Sequence, residues 1–169
     1  MGLSISADCF VVPTIPHTGT HFIRDHLLAG QEHYVQHLWP KSRVQLSQMA
    51  TTYRTIVPLR HPILVARSWK SRDKDIRELP DYWYALIQYI DPHEPQYLPL
   101  DSPNRDGELA CLNLRFGTSF KTDWPVMADD DSAKLARVPL TDSETEDVVE
   151  MMVAMADFFN RWYKDWPFE

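Results

Sequence analysis

A turn of small and polar residues near the start of the chain is the first place where residue types and spacing suggest chemistry. Residues 10–12 and Ile15 are apolar and favour a strand, residues 16–20 are Pro-His-Thr-Gly-Thr, and apolar residues recur at helical spacing from Phe22. A strand that passes through such a turn into a helix directs several backbone N–H groups at one point, which attracts phosphate or sulfate. The turn by itself is equally consistent with an ordinary connection between a strand and a helix.

Two absences narrow the kind of anion site that this turn can form. No Gly is followed by Lys anywhere in the chain, which excludes the Gly-Lys-Ser/Thr phosphate loop. No two Gly residues stand two positions apart, which excludes the dinucleotide-binding fingerprint. A phosphate-binding turn in this chain therefore belongs to a different class of phosphate loop.

The length and the net charge of the chain limit its domain organisation and its possible partners. A chain of 169 residues suits one domain over residues 1–169, and a net charge of −7 argues against nucleic-acid or membrane partners, so an anion site has to be local. Residues 60–77 are a basic stretch in this acidic chain, and a solvated helix face accounts for most of it, with Arg60 as the exception. The basic residues of the stretch are Arg60, Arg67, Lys70, Arg72, Lys74 and Arg77.

The sequence predicts a cytoplasmic protein. No apolar run is long enough to span a membrane, and the start of the chain lacks both a basic segment and a long apolar segment. Cys9 lies in a strand pattern and Cys111 in a helix pattern, so both are expected to be small buried hydrophobes, as in a reducing compartment.

Alternating strand and helix patterns predict an α/β fold with a small parallel sheet and helices on both faces, in three layers α/β/α. The last helix is expected to open with a capping box of Ser143 and Glu146, and Trp83 is expected in the core. Predicted strands are residues 10–12, 33–38, 55–59 and 97–100; predicted helices follow the first turn, cover 41–52, begin at Pro62, and cover 79–90, 108–116 and 143–164.

The predicted topology gathers chemistry-bearing residues at one edge. Ligands of parallel sheets bind beyond the carboxyl ends of the strands. The turn at residues 17–20, the strand end at His37 and the strand end at Arg60 are therefore expected to converge there.

Three segments together resemble the sulfotransferase family, whose sulfate donor is 3'-phosphoadenosine 5'-phosphosulfate. Residues 16–22, Pro-His-Thr-Gly-Thr-His-Phe, are similar to the family's 5'-phosphosulfate loop, Pro-Lys-Ser/Thr-Gly-Thr-Thr followed by an aromatic residue. Arg60 ends a strand and Ser68 follows eight positions later, as in the family's 3'-phosphate motif. Residues 37–40, His-Leu-Trp-Pro, look like the segment Lys-Thr-His-Leu-Pro that carries the catalytic base.

This resemblance, which covers roughly residues 8–72, implies a P-loop fold, a nucleotide sulfate donor, an acceptor that the sequence does not identify, and no required metal. It implies that His37 is the base, that His17 stands in for the family's loop Lys, and that Arg60 and Ser68 hold the 3'-phosphate. Phe22 would either stack on adenine or pack in the core. The donor-binding set that it implies is His17, Thr18, Gly19, Thr20, His21, Phe22, Arg60 and Ser68.

His17 is the main departure from the family pattern. An imidazole has an ordinary pKa of about 6.5, so it is charged at neutral pH only where its neighbours favour the cation. A bound phosphosulfate would favour it, so we expect His17 to be protonated in the complex and donor binding to weaken as the pH rises through about 7 to 8. The segment between the loop and His37 is shorter than in typical members, which predicts an open site, a macromolecular acceptor or completion by another subunit of a homo-oligomer.

Three other functions compete with sulfuryl transfer. Five histidines in the first quarter of the chain suggest zinc, although Pro16 and Gly19 disfavour the helix that paired ligands would need; the five are His17, His21, His26, His33 and His37. A P-loop kinase shares the predicted fold but lacks an assignable Lys and magnesium-binding Asp. A non-catalytic anion-binding module is the third alternative.

The run Asp129 to Asp131 is explained by a solvated loop more readily than by a cation site.

Overall fold

The computed structural model describes residues 8–121 and 138–163. In chain order its elements are β1 (Phe10–Thr14), α1 (Thr20–Phe22, continued as a π-helix over Ile23–Leu27), β2 (His33–His37), α2 (Arg43–Ala50), β3 (Arg54–Leu59), α3 (Pro62–Lys70), α4 (Leu79–Ala85, continued as a π-helix over Leu86–Ile90), β4 (Gln96–Pro99), α5 (Arg105–Phe116), α6 (Asp142–Ala154) and α7 (Ala156–Tyr163). Short 3-10 turns lie at Ile76–Glu78 and Asp91–His93.

The strands form a four-stranded parallel sheet in the order β2-β1-β3-β4. Phe10 of β1 pairs with His33 on one side and with Arg54 on the other. The strand β3 pairs with β1 only through its first two residues, so the missing N–H of Pro58 lies beyond that ladder. The predicted α/β class with a small parallel sheet is confirmed.

Side chains of alternate strand residues enter two separate apolar clusters, because successive residues of a strand point to opposite faces of a sheet. Val11, Val57 and Leu59 pack with residues of α2, α3, α4, α6 and α7. Phe10, Val12 and Ile56 pack with residues of α1 and α5. The arrangement is compatible with three layers. Trp83 is fully buried in the first cluster, as predicted.

Two helix ends follow the predicted signals. The helix α3 begins at Pro62, where the fixed φ of proline suits the first helical position, and the Ile63 N–H donates to Nδ1 of His61 at 3.2 Å. The helix α5 ends before Gly117, whose φ of 64° is the left-handed conformation that glycine adopts without strain.

The predicted start of the C-terminal helix is wrong by two residues. The capping box of α6 is formed by Thr141 and Glu144, not by Ser143 and Glu146. Thr141 and Glu144 have the same three-residue spacing as Ser143 and Glu146. The earlier start also places Asp142 and Glu144 in the first turn, where negative charge is favourable. The helix also breaks at Met155 before α7 begins, and its predicted end at residue 164 lies outside the described residues, as do Asp129 to Asp131.

The two cysteines differ, contrary to expectation: Cys9 is buried in the sheet region, whereas Cys111 is exposed on α5. In the parts of the chain that the structure describes, no helix combines the length and the apolar character needed to cross a bilayer.

Candidate functional site

The loop between β1 and α1 is a tight, internally bonded turn. His17 and Gly19 both have positive φ, 72° and 106°. The N–H and the hydroxyl of Thr18 both donate to the Ile15 carbonyl, at 3.2 and 2.8 Å, and Thr18 is fully buried. In this conformation Thr18 therefore shapes the loop and offers neither donor to a ligand.

Gly19 is required by its conformation and by a close neighbour. A Cβ at this position would lie 2.0 Å from Cδ1 of Leu100, which follows β4. The Leu100 side chain thus rests against the loop backbone, and a larger residue at position 19 would have to displace its flexible end and adopt a φ that strains residues with a Cβ. One apolar side chain from the end of β4 therefore helps to fix the loop.

The start of α1 has no side-chain cap among the described residues. Gly19 is the N-cap, and no side chain caps the first turn. The first amides of a helix have no acceptor within the helix, so those of Thr20 and His21 are suited to bind an external acceptor. The Thr20 hydroxyl is itself buried and has no hydrogen-bond partner among the described residues. An anion seated here would satisfy these groups.

The helix α3 contacts the loop through two consecutive residues. Oγ of Ser68 lies 3.0 Å from Nδ1 of His17. Nε1 of the buried Trp69 donates to the Pro16 carbonyl at 2.9 Å. The two segments that the family resemblance would assign to opposite ends of one nucleotide are thus in direct contact.

Arg60 lies at the same edge, directly after β3, near the partly buried carboxyl group of Asp101. It lies near enough to His17 and to Asp101 to lower the pKa of both. Burial nevertheless raises the pKa of Asp101 overall, and its carboxylate accepts from the His61 N–H at 2.5 Å and from the Tyr163 hydroxyl at 3.2 Å. Asp101 therefore fixes the chain beside Arg60.

His17 lies among positive charges in a partly desolvated position. Burial lowers its pKa to about 4, and Lys74, Arg72, His37 and Arg60 act in the same direction. In the free protein His17 is therefore neutral at pH 7. Protonation of His17 in a complex would therefore require a bound anion to outweigh the burial and all of these positive charges.

His37 lies at the end of β2, at the predicted edge. Its Nδ1 is 2.7 Å from the Thr14 hydroxyl, and its ring meets the ring of Trp39 edge to face at 5.3 Å. Burial lowers its pKa, and Lys74 and His21 add to the effect. When Nδ1 carries the proton and donates to Thr14, Nε2 is left as the basic nitrogen.

Two predicted site residues do not share this geometry. Phe22 is 1% exposed within the core cluster that includes Phe10, so of the two roles considered for its ring it has the one in core packing. The His21 side chain is 83% exposed and turns to Arg24 and Asp25, so only its backbone lies at the loop. Among the described residues, no three His, Cys, Asp or Glu side chains come together as they would around a metal ion.

Lys74 and Arg72 are site residues that the sequence did not single out. Both lie in the basic stretch, where a solvated helix face explained them adequately. The helix ends at Lys70, however, and the chain then turns back so that the Lys74 N–H donates to the Trp69 carbonyl. Asp73 was the sequence signal for this turn, because aspartate tolerates the left-handed conformation. Asp73 adopts that conformation here, with a φ of 55°.

Comparison of the chain with protein-family models, with curated proteins and with solved structures gave no match. The function has to follow from the site itself and from the resemblance of its motifs.

Proposed function

We propose that this protein is sulfotransferase-like, with a three-layer P-loop fold, and that it transfers a sulfuryl group from 3'-phosphoadenosine 5'-phosphosulfate to an acceptor hydroxyl or amine. The observation that carries the proposal is the contact between the loop of residues 16–20 and α3. Ser68 Oγ lies 3.0 Å from His17 Nδ1, and Arg60 lies at the same carboxyl edge of the parallel sheet. Parallel sheets bind ligands at this edge.

The residues at the edge divide into two anion-binding groups. The amides of Thr20 and His21 and the Thr20 hydroxyl would hold the 5'-phosphosulfate at the start of α1. The Arg60 guanidinium would bind the 3'-phosphate, for which its planar fork of donors is suited, and Ser68 would add a hydroxyl. Both groups are local positive features of a chain whose net charge is −7.

His37 would act as the general base for transfer. Its lowered pKa leaves it neutral at pH 7, the form that accepts a proton. His37 would take the proton of the acceptor as the acceptor oxygen or nitrogen bonds to sulfur. The bond from sulfur to the 5'-phosphate oxygen then breaks, and adenosine 3',5'-bisphosphate leaves with the electron pair. Positioning and charge stabilisation supply most of the catalysis in such a transfer.

Calorimetric titration with adenosine 3',5'-bisphosphate tests the nucleotide site. We expect binding by the wild type, and we expect Arg60→Ala to weaken it by about tenfold to hundredfold, the range for a hydrogen bond to a charged group. Arg77→Ala is the matched control, because Arg77 is exposed and paired with Asp75. Preference for adenosine triphosphate over the bisphosphate would contradict the proposal and favour a kinase.

Transfer of labelled sulfate to a mixture of acceptors tests the chemistry. Wild type should transfer label and His37→Ala should lose it while still binding the bisphosphate. Binding without transfer by the wild type would leave a nucleotide-binding module and contradict the enzymatic part of the proposal.

A further inference from the structure

The basic stretch after α3 contains cations in different electrostatic settings. Lys70 Nζ lies 2.7 Å from Glu144, and Arg77 lies 2.9 Å from Asp75, so each faces a carboxylate. No carboxylate of residues 8–121 or 138–163 is paired with Lys74. Lys74 nevertheless is only partly exposed. An ammonium group that is partly removed from water and lacks a counterion is well suited to bind an anion.

The backbone after α3 directs Lys74 back to the loop. Asp73 adopts a left-handed conformation, and the Lys74 N–H donates to the Trp69 carbonyl at 3.0 Å. The Lys74 ammonium then lies 5.4 Å from the centre of the Trp69 ring and 5.9 Å from that of Trp39, distances at which a cation is attracted to an aromatic face. Trp69 in turn donates to Pro16, so one side chain contacts both the loop and this lysine.

The neighbours of Lys74 at the site are both histidines. Lys74 is the cation with the largest effect on His17 and also on His37. These two residues lie on the β1 to α1 loop and at the end of β2, so the ammonium lies within electrostatic reach of residues at two strand ends. Arg72 and Arg60 also lower the pKa of His17, and His21 lowers that of His37. Every charged group that acts on either histidine in this way is basic.

We propose that Lys74 supplies the positive charge that binds the phosphosulfate end of the donor at the loop of residues 16–20. This inference rests on the sulfotransferase-like function proposed above. His17 remains neutral and hydrogen-bonded to Ser68, and an ammonium from a different part of the chain replaces the lysine of the resembled motif. Because an ammonium is charged throughout the physiological range, anion binding through Lys74 does not require protonation of His17.

The test measures affinity for adenosine 3',5'-bisphosphate and for inorganic pyrophosphate by calorimetry in Lys74→Ala, Lys74→Arg and Arg77→Ala. We expect Lys74→Ala to weaken both ligands by about tenfold or more, the effect of removing a charged partner. Lys74→Arg should retain most of the affinity, and the Arg77→Ala control should match the wild type. Thermal unfolding checks that each variant is folded. Unchanged binding in a folded Lys74→Ala protein would overturn the inference.

The pH dependence of wild-type binding gives a second readout. If Lys74 carries the charge, affinity for the bisphosphate should stay constant from about pH 7 to 8.5, because an ordinary lysine keeps its proton over this interval. Binding that needed a protonated histidine would weaken there, because the ordinary pKa of histidine is about 6.5. A steady loss of affinity over this interval that persists in Lys74→Ala would return the charge to His17 and overturn the inference.

The two ligands separate failure of this inference from failure of the proposed function. Loss of binding in Arg60→Ala with none in Lys74→Ala overturns the role of Lys74 and leaves the nucleotide site. Pyrophosphate binding that depends on Lys74, together with no added affinity for the bisphosphate, supports Lys74 and overturns the nucleotide function. No binding of either ligand by the wild type overturns both.

Discussion

Trp69 joins the candidate site to the core through a single hydrogen bond. It is 2% exposed, its Nε1 donates to the Pro16 carbonyl at 2.9 Å, and its ring packs against that of Tyr82 at 5.5 Å. Trp83 is equally buried, but its Nε1 has no hydrogen-bond partner among the described residues. The two tryptophans therefore differ in the hydrogen bond to Pro16 and in the contact of the Trp69 ring with the Lys74 ammonium.

Trp69→Phe should lower the free energy of unfolding by about 1 to 2 kcal/mol more than Trp83→Phe, because it leaves the Pro16 carbonyl without its donor. Both variants remove a similar volume from the core, so Trp83→Phe is the matched control. Urea unfolding at pH 7 measures the difference. Equal losses of stability would show that the bond to Pro16 contributes little.

At the scale of the elements, α6 is attached to α3 near the site. Lys70 Nζ of α3 lies 2.7 Å from Glu144 and 3.1 Å from the Pro139 carbonyl. The same Glu144 side chain accepts from the Thr141 N–H at 2.7 Å as half of the capping box. Lys70 and Thr141 together hold the pKa of Glu144 below its usual value. One carboxylate thus starts α6 and docks it on α3.

Thr141→Ala should lower the free energy of unfolding by about 1 kcal/mol, the usual cost of removing a helix N-cap. Ser143→Ala should leave it within about 0.5 kcal/mol, as for a surface substitution away from a cap. Chemical denaturation of both variants distinguishes the observed cap from the one that the sequence suggested. A larger loss in Ser143→Ala would place the start of the helix where the sequence pattern put it.

At the scale of the whole molecule, buried neutral histidines make stability sensitive to acid. Burial lowers the pKa of His61 to about 4, and burial together with nearby cations lowers that of His17 to about 4. In the unfolded chain a histidine has a pKa of about 6.5. Between about pH 6.5 and 4 the unfolded state therefore binds protons that the native state does not, so acidification destabilises the fold. Asp101, whose pKa is raised, acts in the opposite direction.

Replacement of His61 isolates its share of this acid sensitivity. His61→Asn keeps a side-chain acceptor for the Ile63 N–H, because asparagine is a favoured N-cap, and removes the titrating ring. The wild type should be more stable than the variant at pH 7, and the difference should shrink as the pH falls from about 6.5 toward 4.5. Unfolding free energies at several pH values give this difference, in which the carboxyl groups common to both proteins cancel. A difference that is constant with pH would contradict the prediction.

The local order of strands and helices followed from the sequence. Apolar periodicity, Pro62 at the start of α3 and Gly117 at the end of α5 were sufficient, because these signals act on the backbone within a few residues. The alternation of strands and helices also gave the parallel sheet, since parallel strands need crossover connections. The carboxyl edge of the parallel sheet, where such sheets bind ligands, was therefore predictable as the position of a site.

The electrostatic character of the candidate site was decided by the tertiary structure. The sequence could not show that Asp73 turns Lys74 back toward the loop, that Phe22 is buried, or that His17 is desolvated among cations. Charge state and burial depend on which surfaces pack together, and groups distant in sequence set them. The sequence by itself determined the order of the elements and the class of fold, whereas packing decided which side chains carry charge at the edge of the sheet.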